Sequence, residues 1–144
     1  LGINTLYLAS CKGCSVNTFE GSPSLAETAQ KLFHSAGVNN IQVISGNIDH
    51  TLPEFLKTAE RIDFAFLDAN HRYEPTLQYF HAIIQKVHQH SVMVLDDIHY
   101  SGEMERAWRK IQHHPSVYGT VDVFRCGLVF FDPSLNHQNH VLQF

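Results

Sequence analysis

The feature that most constrains the fold is an alternation of short apolar runs with longer amphipathic runs along the whole chain. The short runs are rich in β-branched residues, which favour strands, and the longer runs carry apolar residues at helical spacing. Strands that alternate with helices in this way indicate βαβ units, in which neighbouring strands run parallel. The sequence therefore predicts an α/β fold with a mostly parallel sheet and helices on both faces.

Helix caps and hydrophobic periodicity give the boundaries of the predicted elements. Ser22 and Ser101 are expected as helix N-caps, Pro23 as a first helical residue and Gly37 as a helix end. The last two strands have no helix between them, so an antiparallel C-terminal hairpin is expected. The predicted helices cover residues 3–10, 22–37, 51–61, 74–89 and a segment after 101, and the predicted strands cover 15–20, 41–45, 62–68, 91–96, 117–124 and 126–131.

Composition and charge exclude several classes of protein. The 144 residues suffice for one domain, and neither a repeat nor a linker divides residues 1–144. A net charge of -4 argues against a basic nucleic-acid surface. Apolar runs stay well short of the roughly 18 residues that a membrane helix needs. No secretory signal is visible, and three cysteines do not make a disulfide framework, so a cytoplasmic location is expected.

Acids and amides follow four consecutive predicted strands. Ligands of parallel α/β sheets bind at the carboxyl ends of the strands, so this edge is the predicted functional site. Glu20 can accept two hydrogen bonds from a ribose diol, or it is a solvated loop acid. Asn47 and Asp49 can bind an adenine edge, or they belong to a helix-entry loop in which Asp49 or Thr51 is the N-cap.

The carboxylates Asp68, Asp96 and Asp97 come from two strand ends that are expected to be neighbours. Like charges at close range disfavour ionisation unless a cation neutralises them, which makes Mg²⁺ a candidate ligand. The alternative is that one of them caps a helix and the others are solvated. His71 and His99 follow these acids, and either imidazole could act as a general base or bind a softer metal.

Other cysteines and histidines suggest structural roles. Cys11 and Cys14 form a C-x-x-C segment, but it follows a helix and precedes a strand, the reverse of the redox arrangement, and a second C-x-x-C is missing for zinc. Cys126 and Trp108 are expected in the core. The remaining histidines are expected at the surface, with His88, His90, His113 and His114 beside helix ends and His137 and His140 in a polar tail.

Two acidic motifs carry a resemblance to a known family. Asp68-Ala69-Asn70-His71-Arg72-Tyr73-Glu74 follows one strand and Leu95-Asp96-Asp97-Ile98-His99 ends the next. With these motifs, the chain resembles class I S-adenosylmethionine (SAM)-dependent methyltransferases, more narrowly the bacterial O-methyltransferase-like group. The likeness extends from residues 2–9, similar to the end of a glycine-rich cofactor loop, to the hairpin at 121–131.

The resemblance implies a Rossmann-like fold and O-methylation of a small molecule. It implies SAM binding by Gly2, Glu20, Gly21, Asn47, Asp49 and Asp68, catalysis by Asp68, His71 and His99, and a Mg²⁺ site at Asp68, Asp96 and Asp97. Small molecules, rather than nucleic acids or membranes, are the expected partners.

The chain departs from that family at its start. The family's first strand and the first glycines of its loop are missing, which predicts a single methyltransferase-like domain that is incomplete at its N-terminus. Three explanations remain open: upstream residues, a second copy that fills the gap as a homodimer, or a rearranged strand order. A non-catalytic binding or dimerisation module is the alternative function. An NAD-dependent dehydrogenase would explain Glu20, but G-x-G-x-x-G is missing.

Overall fold

This computed structural model describes residues 2–142, in which helices and strands alternate up to residue 122. The chain divides into two units, one up to Lys57 and one from Thr58 onward. The first unit contains α1 (Ile3–Ala9), β1 (Val16–Glu20), α2 (Pro23–Ser35), β2 (Ile41–Ser45) and α3 (Ile48–Thr58). The second contains β3 (Ile62–Leu67), α4 (Tyr73–Ile83), β4 (Val87–Leu95), α5 (Gly102–Gln112), β5 (Gly119–Asp122), β6 (Gly127–Phe130) and β7 (Gln138–Val141).

In the first unit, β1 and β2 pair in parallel, with Glu20 opposite Ser45. Ser22 stands at the N-cap of α2 and Pro23 at its first position, as predicted. Gly37 ends this helix with φ 69°, and its N–H donates to His34 O at 3.0 Å. The N–H of Val38 donates to Phe33 O at 3.1 Å, which completes a Schellman motif. The predicted end of the helix at Gly37 is therefore confirmed.

Helix α3 begins at Ile48, three residues before the predicted start at Thr51. Asn47 provides the cap: its Oδ1 accepts from Asp49 N–H at 2.9 Å, and its carbonyl accepts from Thr51 N–H at 3.0 Å. Pro53 therefore lies inside the helix rather than in its first turn. The predicted start at Thr51 is wrong because Asn47 satisfies the free N–H groups earlier in the chain.

The second unit is built on a five-stranded sheet in the order β3-β4-β6-β5-β7. Strands β3 and β4 pair in parallel, and β6 pairs antiparallel with both β4 and β5, which confirms the predicted hairpin. The registers place one residue of each strand in a single row at one end of the sheet: Leu67, Leu95, Gly127, Asp122 and Val141. The carboxyl ends of β3, β4, β5 and β7 thus lie at the same edge. The α/β class with mostly parallel pairing is confirmed.

Strand β4 begins at Val87, four residues before the predicted start at Ser91, and α4 ends at Ile83 rather than Gln89. A 3₁₀ turn, Ile84–Lys86, separates them. The pairing with β3 shifts between Ile62 and Phe64, and Ser91 Oγ fills this irregularity by donating to Ile62 O at 2.6 Å. A side-chain hydrogen bond within a bulge leaves no periodic pattern in the sequence, which is why the start of β4 was predicted too late. His88 and His90 therefore lie in a strand and not at a helix end.

Strand β7 lies in the segment that was predicted to be a polar tail. It pairs in parallel with β5, and all four of its residues are exposed. Backbone pairing and the bond from Thr120 Oγ1 to Asn139 Oδ1, at 2.6 Å, hold it in place. A strand without an apolar face gives no alternating pattern, which is why the sequence did not reveal it. His140 is a strand residue, and His137 Nδ1 lies 3.0 Å from Val117 O.

Trp108 of α5 is buried, as predicted, and lies against Gly127 of β6. A Cβ at position 127 would lie 2.6 Å from Trp108 Cη2. Gly127→Ala is therefore expected to lower the free energy of unfolding by about 1–3 kcal/mol through overpacking, measured by urea denaturation. Gly102→Ala is the matched control, because a Cβ there meets no atom of residues 2–142 within 4 Å. Equal losses of unfolding free energy in the two variants would contradict a close contact between position 127 and the Trp108 ring.

His114, which follows α5, packs against two rings of α4. Its ring centroid lies 5.2 Å from that of Phe80 and 5.6 Å from that of His81. Burial, followed by the charges of His81 and Lys110, lowers the pKa of His114 below its usual 6.5. His114 therefore holds a proton less readily than a free histidine does, because its ring packs against α4.

The lowered pKa of His114 makes stability depend on pH. Near and below pH 6.5 the unfolded chain binds more protons at this residue than the folded chain does. Stability is therefore expected to fall as the pH drops through 6.5, and His114→Gln is expected to flatten that decrease. Urea midpoints measured above and below this pH test the expectation. An unchanged pH dependence in the variant would contradict it.

Candidate functional site

Three loops lie at the carboxyl edge of the second unit's sheet, next to the residues Leu67, Leu95 and Asp122 that end β3, β4 and β5. The loop after β3 carries Asp68 and His71, and the loop after β4 carries Asp96, Asp97 and His99. The third loop is the hairpin turn between β5 and β6. The N–H of Ile98 donates to Arg125 O at 3.2 Å, so the second and third loops are joined through their backbones. The predicted acids and histidines of this unit therefore share one edge.

Backbone strain is concentrated in these three loops. Asn70, His71, Asp97 and Phe124 have positive φ values of 60°, 42°, 52° and 69°. Residues with side chains rarely adopt this region, and each such residue costs about 1–3 kcal/mol unless its surroundings compensate. Strain of this kind is typical of active sites and ligand clamps. Its position supports a functional role for this edge.

His71 lies between two of the predicted acids. Its Nε2 is 3.2 Å from Asp68 Oδ1 and 3.8 Å from Asp97 Oδ2. Nevertheless, this buried nitrogen has no hydrogen bond of acceptable geometry within the described residues. The ring also lies 5.7 Å from that of Tyr100, centroid to centroid. His71 is thus held in an acidic environment with part of its hydrogen-bonding capacity unused.

His99 is held by a residue that the sequence analysis did not single out. Its Nε2 lies 2.8 Å from Oδ2 of Asp122, the last residue of β5, and its Nδ1 lies 3.7 Å from Glu105 Oε1. Asp122 is only 6% exposed. Asp122 ends β5 as Glu20 ends β1, but the predicted strand ran on to Phe124 and hid that signal.

Arg125 and Cys126 of the hairpin turn contact the acid pair after β4. Arg125 Nε lies 3.4 Å from Asp97 Oδ1 and 3.9 Å from Asp96 Oδ1. Cys126 Sγ donates to Asp96 Oδ1 at 3.1 Å. Burial, reinforced by the bond to Asp96, raises the pKa of Cys126 to about 11, so the thiol stays protonated at neutral pH. Cys126 precedes β6 and is half-buried rather than a strand residue of the core.

The predicted Mg²⁺ ligands Asp68, Asp96 and Asp97 gain no support from this arrangement. Within residues 2–142, groups of three or more His, Cys, Asp or Glu side chains that could hold a metal ion are absent. The guanidinium of Arg125 already neutralises part of the charge of Asp96 and Asp97. The donor set therefore does not fit a metal.

The first unit contains the residues predicted to bind the cofactor's nucleoside. Glu20 ends β1, and its Oε1 accepts from Ser22 N–H at 2.8 Å across Gly21. Asn47 caps α3 through Oδ1, which leaves its amide N–H groups as donors. Asp49 is an exposed residue in the first turn of the same helix. Asn47 is therefore the cap, and the expectation that Asp49 or Thr51 caps the helix is wrong, because both residues lie inside α3.

Gly2 precedes α1 in a left-handed conformation, with φ 71°. A Cβ at this position would lie 2.8 Å from Phe33 Cε1 of α2, so the close approach requires glycine. Cys11 and Cys14 are free, and Cys14 Sγ lies 3.5 Å from Leu8 O, which agrees with a structural role.

Helices long and apolar enough to cross a bilayer are not found in residues 2–142. A search of curated proteins finds no significant match. Solved structures do match. An O-methyltransferase from Bacillus cereus in complex with S-adenosylhomocysteine (SAH) superimposes with a TM-score of 0.75 at 21% identity, covering 90% of this chain and 69% of that one.

Two further structures share the fold. The O-methyltransferase TomG from Streptomyces achromogenes, involved in tomaymycin synthesis and in complex with SAM, has a TM-score of 0.72 at 18% identity, covering 91% of this chain and 69% of that one. The SAH-bound methyltransferase PaMTH1 from Podospora anserina has a TM-score of 0.70 at 14% identity, covering 83% and 61%. The chain thus spans 61–69% of the length of these three structures. A family model described as a methyltransferase domain matches residues 2–98, and the chain therefore belongs to this methyltransferase family.

Proposed function

We propose that this chain is a SAM-dependent methyltransferase that transfers a methyl group to an oxygen atom of a small molecule. Family membership and the shared fold of O-methyltransferases support the proposal. The observation that carries it is the pair formed by His99 Nε2 and Asp122 Oδ2, at 2.8 Å, on the strained carboxyl edge. A cytoplasmic location belongs to the same proposal and agrees with three free cysteines.

The proposal assigns cofactor binding to residues of the first unit and to Asp68. SAM would supply an electrophilic methyl group, so the main task of the protein is positioning. Glu20 would accept hydrogen bonds from the ribose, with Gly21 allowing close approach, and Asn47 and Asp49 would bind the adenine edge. Gly2 would contribute backbone at the end of the cofactor loop, and Asp68 would bind the methionine half.

The proposal assigns the proton transfer to a histidine of the second unit. His99 is the better placed base, because Asp122 occupies its Nε2 and leaves Nδ1 to take a proton from the acceptor hydroxyl. Glu105, 3.7 Å from Nδ1, would stabilise the charged ring. His71 is the second candidate, and its buried Nε2 lies against Asp68 and Asp97.

Transfer of labelled methyl from SAM tests the proposed function. The whole chain is incubated with methyl-labelled SAM and a panel of small hydroxylated molecules, and the label in the extracted acceptors is measured. We expect labelled ether and an equal amount of SAH for at least one acceptor class. Binding of SAM without transfer to any acceptor would instead favour a non-catalytic binding module.

A further inference from the structure

We infer that Asp122 is a positioning residue that holds, with its two carboxylate oxygens, both the imidazole of His99 and the backbone of Phe124. Oδ2 lies 2.8 Å from His99 Nε2, and Oδ1 accepts from Phe124 N–H at 2.8 Å. The functional part of this inference rests on the proposed methyl transfer. The structural part, which concerns the tautomer and orientation of His99, can be tested without it.

The sheet fixes the position of the Asp122 backbone on both sides. Asp122 pairs with Gly127 of β6 and with Val141 of β7, and its carbonyl accepts from Leu142 N–H at 2.8 Å. Through Gly127 it is level with Leu95, the last residue of β4. Because His99 lies in the loop that leaves β4, the carboxylate reaches this ring from a rigid element. Rigid support of this kind is what a precisely aimed catalytic group requires.

The bonds to Asp122 select one tautomer of His99. An ionised carboxylate is only an acceptor, so the His99 nitrogen at 2.8 Å from Oδ2 must carry the hydrogen. The neutral ring is then protonated at Nε2 and has its lone pair at Nδ1. Nδ1 lies on the side of Glu105, whose Oε2 also accepts from Arg109 Nη2 at 3.0 Å. Asp122 thus determines which nitrogen of His99 can accept a proton.

Asp122 also holds the backbone of Phe124. This phenylalanine has φ 69°, an uncommon conformation for a large side chain, and its ring is 77% exposed. The hydrogen bond from its N–H to the buried Asp122 carboxylate compensates for part of this strain. The strained turn places the Phe124 ring 6.1 Å from that of His99, with 33° between the planes. Asp122 thereby holds an exposed apolar ring beside the base, where the hydrocarbon part of an acceptor can pack.

A second Asp–His pair in the same unit provides a matched control. Asp63 Oδ1 lies 2.9 Å from His88 Nε2, near the amino ends of β3 and β4 and therefore away from the carboxyl edge. Asp63 is exposed and also pairs with Arg61 at 3.3 Å. Asp63→Asn removes the same type of contact as Asp122→Asn but leaves the proposed site intact.

The first test uses the unaltered protein. Nitrogen-15 NMR of the histidine rings, with His99 assigned by the loss of its signals in His99→Asn, is recorded at a pH at which the ring is neutral. We expect a protonated Nε2 and an unprotonated Nδ1. The opposite tautomer, or a mixture of both, would overturn the inference even if methyl transfer is observed. The measurement does not depend on the stability of any Asp122 variant.

The second test is Asp122→Asn, in which the new amide can donate to Nε2 and reverse the tautomer. We expect the His99 nitrogen signals to exchange character and kcat to fall about 10²–10⁴-fold, because Nδ1 then carries the hydrogen and cannot accept a proton from the acceptor. SAM binding is expected to be unchanged. Combining it with His99→Asn should cost no more than His99→Asn alone, because Asp122 acts through that ring. Additive losses, or equal losses in Asp63→Asn, would overturn the positioning role.

Discussion

Replacing His99 by asparagine is expected to lower kcat for methyl transfer about 10²–10⁴-fold, the usual contribution of a general base. Asparagine keeps N–H donors for Asp122 but has no basic nitrogen, so the acceptor hydroxyl loses its proton acceptor. The affinity for SAH is expected to stay the same, because His99 is assigned to the acceptor and not to the cofactor. Steady-state kinetics with the labelled-methyl assay and a binding titration measure the two quantities separately.

His88→Asn is the matched control for this substitution. His88 is also paired with an aspartate, Asp63 Oδ1 at 2.9 Å, but it lies near the amino end of β4. We expect kcat of His88→Asn to remain within about twofold of the parent, since surface substitutions away from a site usually change energies by less than about 0.5 kcal/mol. If the two variants lose the same activity, His99 is not the base, and His71 becomes the next residue to test.

The second large effect is expected for Glu20→Gln, which should weaken SAH binding about 10- to 150-fold. This range corresponds to about 1.5–3 kcal/mol for hydrogen bonds to a charged group. A glutamine keeps an acceptor oxygen for Ser22 N–H, now 2.8 Å from Glu20 Oε1, so the loop after β1 is expected to survive. The substitution removes only the negative charge and one acceptor that the ribose would use.

Glu27→Gln provides the control for Glu20→Gln in the same unit. Glu27 lies on α2 and forms an exposed pair with Lys31 at 2.7 Å, so its substitution should leave SAH affinity unchanged. Isothermal titration of both variants measures the difference directly. Equal affinities would show that Glu20 is a solvated loop acid, which is the alternative that the sequence left open.

Much of the fold could be predicted because its signals are local. The alternating pattern predicted the α/β class, Ser22, Pro23 and Gly37 marked the ends of α2, and two strands without a helix between them predicted the hairpin. Boundaries set by side-chain hydrogen bonds, and one strand held by backbone pairing, were not predicted. Asn47 moved the start of α3, and Ser91 bonding within a bulge moved the start of β4. The exposed strand β7 has no apolar pattern at all.

In the candidate site, too, some residues could be predicted from the sequence and others could not. Polar residues at strand ends predicted that the two acid–histidine loops of the second unit share one edge, and His71 Nε2 does lie 3.8 Å from Asp97 Oδ2 of the other loop. The rule could not identify Asp122, because its role depends on the antiparallel register that brings β5 level with β4. Arg125 was missed for the same reason, although it changes the electrostatics of Asp96 and Asp97. Partners that are distant in the chain become visible only in three dimensions.

The most direct test of the central claim is isothermal titration of the whole chain with SAH, with and without Mg²⁺. We expect saturable binding at one site with a Kd of about 1 μM to 1 mM, the range typical of enzyme substrates. We also expect no dependence on Mg²⁺, since the acid edge does not fit a metal. Strict dependence on Mg²⁺ would revive the metal site at Asp68, Asp96 and Asp97. Absence of SAH binding under both conditions would contradict the proposal that this chain uses SAM.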